Sequence, residues 1–222
     1  MSLNLKINKI LKKFETGNKL DSYKELQKIF KKNKRNNLLR YNLAVVQQQL
    51  NLNEEARLNY NYLIKIESNI KAMINLYNID IIEAKYKEAL DTIIKILQIK
   101  EIDNVHKDKA FVFYKLNRIK ESKEICIFYL KKNPKDLVSL NIIGQCLFHE
   151  GKYDESVKIF DKILEIDPSC NNDEVKKGYR KMANKYHPDK VSHLGIDLQH
   201  IAEEKFKAVN NAYQTIKKER KI

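Results

Sequence analysis

Apolar residues recur with a helical period along most of this chain. Near the C-terminus Val175, Tyr179, Met182 and Tyr186 fall at i, i+4, i+7 and i+11, one stripe on one helix face. Leu198, Ala202, Phe206, Val209, Tyr213 and Ile216 follow at steps of 4, 4, 3, 4 and 3, a second stripe on a helix from about 198 to 218. Asn171 with Glu174 three residues on has the spacing of a capping box and marks the start of the first helix. Pro188 marks its end, because a residue before proline is pushed away from helical dihedrals. Two antiparallel helices with matching stripes pack as a hairpin, with His187-Pro188-Asp189 held in the connection at one end.

Upstream, the pattern repeats. Shifting residues 137–170 back by 34 lays Gly144 on Ala110, Leu147 on Phe113, Gly151 on Asn117, Ser156 on Ser122, Phe160 on Cys126 and Pro168 on Pro134. Earlier copies follow at 33-residue steps, with Ala89 on Ala56 and Tyr23 in the same place one step before. Five helix pairs are predicted, at about 3–35, 37–69, 70–102, 103–136 and 137–170, the last two being the best copies. Gly144 and Ser156 are small where two helices must approach, and Gly151 suits a left-handed turn. Pro168 is expected to close the last pair, since it cannot donate the next hydrogen bond. One pair cannot bury its apolar face alone, so stacking is expected to build a continuous core.

This repetition resembles the tetratricopeptide repeat, a helix–turn–helix unit. The resemblance implies a concave groove that receives a client or peptide. Members that grip an acidic chaperone tail carry Lys, Asn and Arg at fixed groove positions of three successive repeats. The first helices here offer Asn42, Asn75, Asn78, Lys107 and Asn141, while Ile74 and Phe111 stand where such a clamp needs polar groups. A general protein-binding or spacer array is therefore the expectation.

Composition narrows the class. With 5 Gly, 3 Pro and no Trp in 222 residues, little interrupts helix, so an all-α fold is expected. At 43% hydrophobic and 32% charged, the chain is globular rather than disordered. The net charge of +14 suits nucleic acid, an anionic membrane or an acidic protein surface, or reflects a lysine-rich composition alone. Residues 1–170 hold 31 basic and 22 acidic side chains and residues 171–222 hold 12 and 7, so positive charge is denser in the shorter segment. Cys126, Cys146 and Cys170 form no Cys-x-x-Cys pair, which argues against a zinc site and suits a reducing compartment. No stretch approaches the ~18–20 apolar residues of a membrane span. A soluble cytoplasmic protein with no membrane partner is expected.

The C-terminal stretch resembles the J domain of the DnaJ co-chaperone family. The resemblance rests on Asp173-Glu174-Val175-Lys176-Lys177-Gly178-Tyr179-Arg180-Lys181, on Lys185-Tyr186-His187-Pro188-Asp189-Lys190, and on Ala202-Glu203-Glu204-Lys205-Phe206-Lys207-Ala208-Val209-Asn210-Asn211-Ala212-Tyr213. The loop after Lys190 is a few residues longer than in the commonest J domains and looks like that of bacterial tellurite-resistance-type or membrane-anchored J proteins. A J domain opens with a short helix bearing an aromatic and then a Leu-Gly pair. Phe160 and Leu164 fit that helix, but Glu165 stands in place of the Gly. The same residues belong to the last repeat, so one helix is expected to serve both a repeat array over 1–170 and a J domain over 158–222.

The resemblance implies docking on a DnaK-type chaperone and stimulation of its ATPase. His187, Pro188 and Asp189 would be the essential contact, beside a basic face of Lys176, Lys177, Arg180, Lys181, Lys185 and Lys190. The chain itself would do no chemistry and need no cofactor. Three other readings stay open. His187 and Asp189 have the chemistry of a catalytic or metal pair, though His193 and His200 lack ligand spacing and no nucleophile is placed. The basic helix suits nucleic-acid phosphates, but no helix-turn-helix or aromatic stacking platform accompanies it. The lysines are otherwise a solvated face, on a repeat scaffold whose J domain is vestigial.

Overall fold

The computed structural model describes residues 2–191 and 196–222, with side chains except at 196–198, 200 and 201. Regular structure among the described residues is all α-helical, as the sequence predicts. The chain divides into two compact units, residues 1–102 and 103–222.

The first unit holds α1 (Leu3–Glu15), α2 (Lys19–Lys32), α3 (Asn37–Gln49), α4 (Asn53–Glu67), α5 (Ile70–Ile82) and α6 (Tyr86–Ile99). Asn36 and Asn69 cap α3 and α5, their side chains accepting from the Leu39 and Ala72 N–H groups. Inside each pair the turn passes through one left-handed residue, at Gly17, Asn51 and Ala84. Helix α3 joins neighbouring blocks of the core. Helix α3 turns Leu39, Leu43 and Val46 towards Ile7, Ile10, Phe14 and Leu26, and Ala44 towards Ala56, Tyr60, Leu63, Ala72 and Ile79. An interior helix of an array has neighbours on two sides and divides its apolar residues between them. Between α4 and α5 lies a charged lock. Arg57 donates to Asp80 Oδ1 and, at 2.7 Å, to Glu83 Oε2, while Lys85 and Asn53 also hold Glu83. The Lys85 hydrogen bond, reinforced by those of Arg57 and Asn53, lowers the Glu83 carboxyl to about 2, while burial pushes Asp80 up.

The second unit holds α7 (Asp103–Lys115), α8 (Ile119–Lys132), α9 (Leu137–His149), α10 (Tyr153–Leu164), α11 (Asn172–Tyr186), α12 (Pro188–Val191) and α13 (Ile196–Glu219). The small positions are points of close approach. Ser122 Oγ donates to the Ala110 carbonyl at 2.7 Å, and Ser156 Oγ donates to the Gly144 carbonyl at 2.8 Å, the same contact one repeat on. A Cβ on Gly144 would lie 2.6 Å from Phe160 Cζ. Helix α10 stops at Leu164, short of Pro168. Glu165 turns left-handed at φ 54°, and the Ile166 N–H returns to the Asp161 carbonyl. A left-handed cap, not the proline, ends the helix.

Helix α13 lies against α9 and α10 as α9 itself lies against α7 and α8. It stands where the first helix of a further repeat would. One core runs through Leu137 and Leu140 of α9, Phe160, Ile163 and Leu164 of α10, Val175 and Met182 of α11, and Val209, Ala212 and Ile216 of α13.

Replacing Arg57 by Ala strands Asp80, which is only 3% exposed. We expect a loss of about 3 kcal/mol, measured as a lower urea midpoint at unchanged slope. Because the folded pKa of Glu83 is depressed, its stabilisation is full above its ordinary value of 4.5 and fades as pH falls towards 2.

Candidate functional site

Helix α11 starts on a full capping box. Asn171 Oδ1 accepts from the Asp173 and Glu174 N–H groups, each at 3.0 Å, and the Asn171 N–H donates to Glu174 Oε2 at 2.8 Å. Val175 and Met182 are buried, and Tyr179 stacks on Tyr213 with centroids 4.1 Å apart while its hydroxyl donates to Asn210 Oδ1. Gly178 permits the crossing over the end of α10. A Cβ there would lie 2.4 Å from Ile166 Cγ2 and 3.1 Å from the Leu164 carbonyl oxygen.

His187 leaves the helix in an extended conformation, φ −61° and ψ 135°, and Pro188 opens α12. Proline is suited to a first helical position, where its missing N–H has no partner to lose. The Lys190 N–H donates to the His187 carbonyl at 3.0 Å. The Asp189 N–H donates to His187 Nδ1 at 3.3 Å, and the Asp189 carboxylate lies 3.6 Å from the same nitrogen. The His187 ring stands edge-on to Phe206 of α13, at 5.7 Å and 83°. Phe206 therefore fixes the ring from the second helix. The side chains remain outward, His187 46% and Asp189 89% exposed.

The basic residues are less uniform than the sequence suggests. Lys177, Lys181 and Lys185 recur every four residues and form one stripe of α11, with Lys176 and Arg180 beside it and Lys190 on α12. Lys177, Arg180, Lys185 and Lys190 are exposed. Lys181 instead reaches Glu165 Oε2 at 2.8 Å, and Lys176 pairs with Asp173 at 3.6 Å. The Lys181 hydrogen bond also holds the Glu165 carboxyl below its ordinary value. Glu165 occupies the left-handed position for which a J domain is expected to use Gly, and Lys181 anchors its side chain there.

Within its own unit, each groove residue is engaged or partly buried. Lys107 is tied to Asp136 at 2.8 Å, Asn75 donates to the Tyr41 and Tyr60 hydroxyls, and Asn141 accepts from Gln145 and Asn211. Asn42 and Asn78 are half-buried. Residues 192–195, including His193, and the side chains of Leu198 and His200 lie outside the described residues. One anchoring residue was not foreseen. Arg220 donates to the Cys170 carbonyl at 2.8 Å and the Pro168 carbonyl at 3.1 Å, and pairs with buried Asp161 at 3.4 Å. It fastens the end of α13 to the α10–α11 connection. In sequence it is one more cation at a helix end, with no signal of its role.

Two family models match this geometry, a tetratricopeptide repeat over residues 138–170 and a DnaJ domain over residues 160–222. The chain thus carries a tetratricopeptide repeat and, overlapping its end, a C-terminal DnaJ domain over these intervals. The two matched intervals overlap at residues 160–170, the end of α10 and the segment after it. The chaperone protein DnaJ of Fusobacterium nucleatum subsp. nucleatum is 47% identical over 55 residues, 25% of this chain and 14% of that protein. The co-chaperone protein DjlA of Vibrio parahaemolyticus is 41% identical over 59 residues, 26% of this chain and 21% of that one. The match thus spans only a small part of these relatives. In fold, the chain is similar to YrrB, described as a tetratricopeptide-repeat protein with an unusual peptide-binding site, at TM-score 0.53 and 21% identity over 86% of this chain and 91% of that one. Among the described residues no helix is long and apolar enough to cross a membrane.

An exposed mid-helix Gly→Ala change normally stabilises a helix by about 1 kcal/mol. At Gly178 the sign should reverse, with Ala lowering the stability of the C-terminal unit by about 1–3 kcal/mol through the clash with Ile166 and Leu164. Thermal melting by circular dichroism reads the sign.

Proposed function

We propose that this protein is a co-chaperone whose DnaJ domain contacts the ATPase of a DnaK-type (heat-shock-70 class) chaperone and stimulates ATP hydrolysis there, while the repeats hold a client or partner protein. The observation that carries the reading is the outward His187-Pro188-Asp189 turn, braced by Phe206 and adjoining the exposed lysines of α11. A basic helix face steers encounter with an acidic partner and raises the on-rate. The Asp189 carboxylate suits bidentate capture by a partner arginine. A turn ordered before contact lowers the entropic cost of binding. The chain contributes recognition and leaves the chemistry to its partner. Lys177, Arg180, Lys185 and Lys190 form the steering face, with Lys176 and Lys181 partly neutralised by their own carboxylates. Three free cysteines, two of them buried, fit a reducing cytoplasm.

His187→Gln removes an exposed contact and little packing. Single-turnover ATP hydrolysis by the cognate chaperone should lose about tenfold or more of its stimulation with this variant, at an unchanged melting temperature. Full stimulation by the variant, or none by the wild-type chain, sinks the reading. Binding that persists in the variant and falls steeply with salt would point to nucleic acid instead.

Helix α10 serves both modules in this reading, since its apolar residues share a core with α9 on one side and with α11 and α13 on the other. A fragment of residues 171–222 should therefore be unfolded by circular dichroism, whereas 137–222 should melt cooperatively. A cooperative transition in the shorter fragment would refute the sharing.

A further inference from the structure

The positive charge of the repeats is concentrated in one place. Residues 1–40 carry 12 Lys and Arg against 3 Asp and Glu, whereas residues 41–170 carry 19 of each. A lysine-rich composition would raise the count throughout, so the balanced remainder of the same array serves as an internal control.

The helices of the first unit sort these charges towards one end. Helices α1 to α5 alternate in direction through short connections, so the start of α1, the end of α2, the starts of α3 and α5 and the end of α4 share one end of the unit. Lys6, Lys31, Lys32, Lys34, Arg35 and Lys71 stand there, all exposed and none in an ion pair among the described residues. Lys31 to Asn36 line a shallow recess. Glu67 is the carboxylate of α1 to α5 at that end, and it accepts hydrogen bonds from Asn37 and Asn69. At the opposite end stand Glu15, Asp21, Glu54, Glu55, Glu83 and Glu88. Helix dipoles account for Lys31 and Lys32 at the end of α2, but not for Lys34 and Arg35 beyond it, nor for Lys6 and Lys71 near helix starts.

Exposed apolar side chains accompany the cations. Leu5, Leu38 and Ile66 are 56%, 53% and 58% exposed, each within two residues of a helix terminus at the basic end. Leucine and isoleucine contribute nothing to phosphate-backbone contact, whereas cations surrounding exposed apolar side chains are what an anionic lipid surface attracts and partly buries. Leu20 and Ile82 are equally exposed at the opposite end, but beside Asp21 and Glu83. The unit thus presents apolar groups at both ends, but at the opposite end Lys12, Lys13, Lys19, Arg57, Lys85 and Lys87 stand among as many carboxylates, whereas at the basic end the cations far outnumber them.

We infer that the end of the first unit bearing Lys31, Lys32, Lys34 and Arg35, with Leu5, Leu38 and Ile66, is a docking surface for an anionic phospholipid membrane. The contact is peripheral, independent of any membrane-spanning helix and of the chaperone reading.

Co-sedimentation of the full chain with phosphatidylserine/phosphatidylcholine vesicles, against phosphatidylcholine alone, tests it. Binding should require phosphatidylserine. Lys31→Ala, Lys34→Ala and Arg35→Ala together should weaken it about 100-fold, at roughly fivefold per cation. Leu5→Ser with Leu38→Ser and Ile66→Ser should remove the part that survives high salt, whereas Leu20→Ser with Ile82→Ser should leave binding intact. Lys177→Ala, Lys181→Ala and Lys185→Ala, on the other basic surface, should also leave it intact. Equal binding to phosphatidylcholine, loss through the α11 lysines instead, or displacement of the vesicles by a stoichiometric amount of a 30-nucleotide single strand would overturn the assignment. Exposed substitutions of this kind should hold the melting temperature, which verifies that a loss is of contact and not of fold.

Discussion

Helix α10 buries residues on two flanks at once, and the C-terminal unit depends on that double burial. Phe160 fills the space left by the missing Cβ of Gly144 and also joins Val175, Met182 and Val209 in one core. The Ser156 hydroxyl, bonded to the Gly144 carbonyl, sets how near α10 and α9 come. Full burial of a residue such as Phe160, Ile163 or Leu164 is worth about 1.5–3 kcal/mol, and here each is spent on two modules. Any shift of α10 that opened a gap to α9 would also withdraw these side chains from α11 and α13. A repeat that ended in a polar cap would protect itself from such dependence. This one instead passes its apolar face to α13, which occupies the place of a next first helix.

The ends of the helices matter as much as their faces. Between α10 and α11 the chain turns through Glu165 in a left-handed conformation that costs a non-glycine residue of order 1 kcal/mol. Its ion pair with Lys181 offsets part of that cost, though both side chains are substantially exposed and solvent screens the pair. Arg220 closes the same connection from the other side by donating to two of its carbonyls. At the far end of α11, His187 is constrained by three contacts of different kinds: Pro188 behind it, the Asp189 N–H at Nδ1 and the Phe206 ring. The exposed turn is held by local geometry rather than by burial.

Periodicity made most of this legible. The stripes Val175–Met182 and Val209–Ile216 have the spacing of a helix face, and a 34-residue offset superposes Ser122 on Ser156 because the same hydroxyl-to-carbonyl contact recurs. What escaped was non-periodic. Glu165 carries no local sign that its φ is positive, so Pro168 looked like the helix end. Lys181 and Glu165 are 16 residues apart, and Arg220 and Cys170 are 50 apart, distances over which sequence offers no pairing rule. Lys107 and Asn141 count as groove residues in the sequence, where nothing shows that Asp136 and Asn211, 29 and 70 residues away, engage them. Local patterns fix faces and caps, whereas the partners of individual polar side chains follow from packing.

The sharing of α10 bears on how the two binding functions proposed for the C-terminal unit could cooperate. Had a flexible linker joined repeat to DnaJ domain, the separation between a bound client and a bound chaperone would be averaged, and their effective concentration would fall with linker length. Here the contact turn stands at the end of the 15-residue α11, about 22 Å along a helix axis from the α10–α11 connection. That connection is fixed by Gly178, the Lys181–Glu165 pair and Arg220. Distance and direction from the last repeat are then properties of the fold rather than of a linker ensemble. Such a joint favours a partner whose geometry matches it and penalises one that does not, because the helices cannot swing without giving up the core they share with α9.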